Sequence, residues 1–68
     1  MADSIHKKIE IVGTSTTCYA DATRNAIRKA SESVRKLEWF EVVEMRGRIK
    51  GAEIEQFQVT LKVGFKLD

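Results

Sequence analysis

The chain has 68 residues, with twelve basic against ten acidic side chains for a formal charge of +2, one cysteine, one histidine and no proline. So even a balance excludes the dense basic surface of a nucleic-acid or membrane-surface protein, and one cysteine with one histidine excludes both an internal disulfide and any zinc-ligand spacing. A chain this short buries only about 60% of its unfolded surface, so the missing stability is expected from association with copies of itself.

The start, Ala2-Asp3-Ser4, is polar, and no apolar run reaches the length of a signal peptide or a membrane span. The expectation is a cytoplasmic protein. No repeat, linker or low-complexity stretch interrupts residues 1–68, which read as a single domain. From Ile5 to Val12, Ile9 and Ile11 alternate with Lys8 and Glu10, the pattern of a half-buried strand. Gly13-Thr14-Ser15 reads as the break after it, and Ser15, Thr16 or Thr17 is the candidate helix cap. Between about Thr17 and Leu37 the residues Tyr19, Ala22, Thr23, Ala26, Ile27, Ala30, Val34 and Leu37 recur at three- and four-residue steps, which predicts one long amphipathic helix. Its small residues, Ala22, Ala26 and Ala30, suit close packing on a sheet. Arg24, Arg28, Glu32 and Lys36 form a solvated row on the same helix. Cys18 falls in the first turn, either as a low-pKa thiol or as a small packing residue.

Trp39 to Lys50 predicts a second strand of irregular pattern. Phe40 and Val42 share one parity, Val43, Met45 and Ile49 the other, so either a bulge switches faces or both faces are buried. Gly51-Ala52 is the hairpin turn. From Glu55 to Lys66 the alternation is clean, with Phe57, Val59, Leu61, Val63 and Phe65 on one face and Gln56, Gln58, Thr60 and Lys62 on the other. The order β-α-β-β makes this an α+β fold. It predicts a three-stranded antiparallel sheet in the order 1-3-2, packed on the helix, with the Gln58 face uncovered. That face must meet water, another subunit or a ligand.

The only tryptophan, Trp39, stands where helix gives way to strand, as a core plug, an oligomer anchor or a stacking platform. Taken with the chain length and element order, the segments Ile11-Val12-Gly13-Thr14-Ser15, Leu37-Glu38-Trp39-Phe40-Glu41-Val42, Met45-Arg46-Gly47 and Phe57-Gln58-Val59…Val63-Gly64-Phe65 resemble the dodecins, small flavin-binding proteins, over essentially the whole chain. The resemblance implies a hollow homododecamer with flavins held in pairs between subunits. It implies that Trp39 stacks on the isoalloxazine and that Gln58 hydrogen-bonds its pyrimidine edge. Arg46, an arginine before a glycine as in bacterial members, is associated with the phosphorylated flavin. FMN is then the expected cofactor, with riboflavin or FAD as variants and coenzyme A as a secondary ligand. From composition, no nucleic-acid or membrane partner and no metal-ligating residues are expected, and ions bound on symmetry axes stay open.

The residues themselves suit these roles. Indole is the most electron-rich side-chain face and isoalloxazine an electron-poor ring. Gln58 offers an acceptor and a donor side by side, although a glutamine on an amphipathic strand is also an ordinary solvent-facing residue. A turn at Gly51-Ala52 sets Arg46 nearly opposite Gln58, where its fork of donors suits a phosphate or, alternatively, an ion pair with Glu44 of a neighbour. In that register Trp39 lies several residues along the sheet from Gln58, which points to a site at a subunit junction. His6, Lys7 and Lys8 suit an anionic cofactor tail or simple protection of an edge strand. The expected function is flavin storage or sequestration without catalysis and with no catalytic residues. The alternatives are a small oligomeric enzyme, for which no proline base or Ser/His/Asp set exists, and a structural oligomer binding another ligand. An RNA-binding sheet would need aromatics on its open face, whereas Phe57 and Phe65 have the helix-facing parity.

Overall fold

A computed structural model describes residues 3–67. The elements are β1 (His6–Ser15), α1 (Tyr19–Ala30), β2 (Leu37–Lys50) and β3 (Glu53–Lys66). The strands form one sheet in the order β1-β3-β2, both pairings antiparallel, as the β-α-β-β order predicts. Lys50 pairs with Glu53 around Gly51-Ala52, and Gly51 has a φ of 64°, the left-handed conformation that a tight type II′ hairpin asks of its first residue.

β1 is longer than the Ile5–Val12 strand expected, because Gly13-Thr14-Ser15 does not turn the chain. These residues continue the ladder opposite Val59, Gln58 and Phe57. Gly13 serves as a contact instead: a Cβ there would collide with the Ala22 carbonyl oxygen and lie 2.7 Å from the Ala26 methyl. Ala22 and Ala26 are accordingly buried, and α1 lies directly on β1.

The helix covers only part of the Thr17–Leu37 span. At its start Cys18 is the N-cap, accepting from the Asp21 N–H at 3.4 Å. The buried Ser15 hydroxyl supports this end. It accepts from the N–H groups of Thr17 at 2.9 Å and Cys18 at 3.4 Å, and donates to Asp21 at 2.9 Å. Asp21 in turn places negative charge at the positive end of the helix. At the other end Ser31 donates its hydroxyl to the Arg28 carbonyl. The N–H groups of Glu32 and Ser33 turn back to Lys29 and Ala30, a tightening that ends the helix. Lys36, at φ 59°, then reverses the chain into β2. The four-residue row of charges is therefore cut after Arg28.

Val59, Leu61 and Val63 on β3 form the buried centre with Ala22 and Ala26, flanked by Ile9, Ile11, Tyr19, Ile27 and Leu37. Burying a valine or leucine stabilises by roughly 1.5–3 kcal/mol, so these three residues carry much of the subunit. Phe57 packs edge-on to Tyr19 with centroids 5.0 Å apart, which confirms the helix-facing side of β3. The helix packs on β1 and β3 and leaves β2 outside its cover. The molecule is a blade of 56 × 20 × 14 Å. Among the described residues no helix is long and apolar enough to cross a membrane.

Candidate functional site

Three irregularities let β2 keep its two faces along its length. Its pairing with β3 shifts between Leu37 and Trp39, between Val42 and Glu44, and between Arg48 and Ile49. The middle shift leaves Val43 without a partner on β3, so a bulge resolves the conflicting parity of this strand. Trp39 and Glu41 before it, and Glu44 and Arg46 after it, then all sit opposite Gly64, Lys62, Thr60 and Gln58 on the side away from the helix. Phe40, Val42 and Met45 take the helix side.

Trp39 is not a core plug. It lies on the uncovered face and is 37% exposed. Its partner Gly64 explains its pose: a Cβ on Gly64 would collide with Cζ2, Cε2 and Cη2 of the indole. The ring therefore lies against bare backbone across the middle strand and reaches toward β1. The indole N–H donates to Glu41 at 2.9 Å, and Lys8 on β1 donates to both oxygens of the same carboxylate at 3.1 and 3.2 Å. Hydrogen bonds from Trp39 first and Lys8 second hold the Glu41 carboxyl below the usual carboxylate range, because both favour its charged form. His6 stands edge-on to the indole, with ring centroids 5.3 Å apart and planes at 63°, and its Nε2 lies 3.1 Å from Glu38. His6 and Lys8 are thus engaged with β2 carboxylates across the sheet.

The second group lies toward the hairpin. Arg46 pairs directly with Gln58, as the turn position predicts, and Thr14 of β1 flanks Gln58 on its other side. Gln58 donates its amide N–H to Gln56 at 2.8 Å, which orients the amide plane. Arg46 is exposed, its guanidinium 4.0 Å from Glu44 of the same strand. Six residue steps along β3 separate Gly64, beneath Trp39, from Gln58, a distance of roughly 20 Å at strand rise. The structure therefore brings Arg46 and Gln58 together and keeps Trp39 apart from both. The contact of His6 with Trp39 has no local sequence signal, since it depends on β3 lying between two strands distant in sequence. Cys18 belongs to the helix cap, away from this face. Among the described residues no group of three or more His, Cys, Asp or Glu side chains is placed to hold a metal ion.

A family model described as Dodecin matches residues 5–68. Dodecin of Thermus thermophilus is 44% identical over 64 residues, which make up 94% of this chain and 93% of that protein. Calcium dodecin of Mycobacterium tuberculosis is 31% identical over 64 residues, 94% of this chain and 90% of that one. The solved structure of dodecin from Streptomyces davaonensis superposes with a TM-score of 0.93 at 45% identity and covers 98% of each chain. The chain belongs to the dodecin family.

Proposed function

We propose that this protein stores or sequesters flavins, FMN above all, stacked on Trp39 at the junctions of a cytoplasmic homododecamer, and that it quenches their photochemistry without being an enzyme. The observation that carries the reading is the Trp39 ring, held against the Gly64 backbone on an open face with its outer side free for a second flat ring. Stacking of a base-like ring on an aromatic side chain stabilises by about 1–3 kcal/mol, and indole against isoalloxazine joins a donor to an acceptor. Gln58, its amide oriented by Gln56, has the donor and acceptor to meet the pyrimidine edge. The guanidinium of Arg46 has the fork to clamp a phosphate. When bound, the flavin supplies the light absorption and redox chemistry, and the chain supplies the surfaces that confine it.

Two features support a site shared between subunits. One subunit cannot offer Trp39 and Gln58 to the same ring across the length of β3 that separates them. Moreover, Phe40, Val42 and Met45 are each about half exposed on the helix side of β2, an apolar row that another copy would cover. With one flavin face on Trp39 and the other on a second flavin, no side remains open for a substrate.

The test is titration of flavin-free protein with FMN, read by flavin fluorescence. Strong, saturable quenching that disappears in Trp39→Ala supports the reading. In Arg46→Ala, FMN should lose about tenfold in affinity while riboflavin is unchanged, the scale of one charge-assisted hydrogen bond. FAD and coenzyme A are further arms of the same titration. Unchanged FMN fluorescence at micromolar protein overturns the reading and leaves a structural oligomer for another ligand.

A further inference from the structure

His6 stands beside the stacking ring, and the flavin reading leaves it without a role. We propose that His6 is a positioning residue for Trp39 and that its protonation weakens flavin stacking, so that the site releases flavin on acidification. This inference rests on the flavin reading above.

The indole is held from three directions. Gly64 lies beneath it, Glu41 takes its N–H at 2.9 Å, and His6 meets its edge at 5.3 Å between centroids. Edge-on aromatic pairs of this kind stabilise by about 0.5–1.5 kcal/mol beyond the area they bury. Of the three supports, imidazole is the group whose charge ordinarily changes between about pH 5 and 8. The His6 side chain keeps only 33% of its surface in water. A flat ring laid on the outer face of Trp39 beside it would take more of that water away, which costs a charged imidazolium more than a neutral imidazole. A cation at the indole's edge also draws π density away from the electron-poor ring that the indole is to hold.

The charges that face His6 come from all three strands. Glu38 of β2 lies at 3.1 Å. Lys66 of β3 is its direct cross-strand partner, and Lys8 lies two residues along β1. Glu41 acts from beyond the indole, where it is already engaged by Trp39 and Lys8. Because a ring laid beside His6 removes water that an imidazolium needs more than an imidazole does, flavin and proton oppose each other at this position, and by linkage each lowers the affinity for the other.

The test measures FMN affinity of the full chain at about pH 7.5 and about pH 5.5, either side of the imidazole range, for the unaltered protein, His6→Phe and His6→Ala. The unaltered protein should bind several-fold more weakly at the lower pH. His6→Phe should hold its affinity at both, because the ring stays and the charge cannot form. His6→Ala should bind more weakly at both, because the indole loses its lateral support. Equal pH dependence in the unaltered protein and His6→Phe overturns the proposal. Trp39 emission without flavin separates this failure from failure of the flavin reading. If FMN binds at neither pH, stacking and release both fall, and emission alone decides the positioning role. An acid step in the unaltered protein that is absent from His6→Phe supports that role, and identical emission curves overturn it.

Discussion

β2 and β3 are each fourteen residues long and run side by side, yet they have opposite fates within the subunit. β3 lies between two strands and under the helix, and Val59, Leu61 and Val63 are almost wholly removed from water. β2 has one half-buried residue, Leu37, and thirteen exposed ones, although Phe40, Val42 and Met45 sit directly opposite that buried trio. The hydrophobic faces of the two strands are the same face of one sheet. They differ only in whether α1 reaches over them. Apolar alternation thus records which side of a strand will be buried, while the partner that buries it can be the same chain or another copy.

The pair Leu61 and Val42, cross-strand neighbours, gives the sharpest way to break this comparison. Leu61→Ala should destabilise the subunit by about 2–5 kcal/mol, as truncations in a packed core do, and denaturant unfolding of dilute protein reads it. Val42→Asp should leave the far-UV circular dichroism intact and reduce the solution mass measured by light scattering. Unfolding of Val42→Asp to the same degree as Leu61→Ala would show that β2 belongs to the subunit core after all. On the other face, Gly64→Ala tests whether β3 supports the indole by having no side chain. The new methyl must displace the ring, and FMN quenching should weaken by about tenfold, within the range of one stacking contact, with the fold retained.

The smallest effect concerns acid. The Glu41 carboxyl is held below its ordinary value in the folded chain. Its contribution to stability is therefore complete above the ordinary carboxylate pKa and fades as pH falls through the lowered folded value. Trp39 emission should shift over that acidic window as the indole N–H loses its charged acceptor. Glu41→Gln should abolish the shift, and an identical acid shift in that variant would place its origin elsewhere.

Much of this was legible in the residues, and the gaps have physical causes. The alternation from Phe57 to Phe65 is clean because β3 is central and has the helix on one side only. The end of α1 was hidden because Val34 and Leu37 continue the helical spacing by chance, while Ser31 and Ser33 draw the backbone into a turn. Gly13 resembled a turn residue when its lack of a side chain served the approach of Ala22 and Ala26. For the candidate site, Trp39, Arg46 and Gln58 were named through the family resemblance, which their chemistry suits but does not single out, and the Arg46–Gln58 pairing followed from the hairpin turn. The role of Gly64 and the contact of His6 were not legible, because both depend on the register of β3 against its two neighbours.

The bulge at Val43 has a consequence for shape. Without that residue, Phe40, Val42 and Met45 would still alternate regularly with Glu41, Glu44 and Arg46, so the extra position adds nothing to the division of faces. A bulge bends its strand and steepens the local twist. The open face is therefore bent between its Trp39 end and its Arg46 end. In an oligomer of such blades, the angle between neighbouring copies depends on bends of this kind. Deleting Val43 would keep every side chain on its present side while straightening the blade, and copies of a straighter blade would meet at another angle.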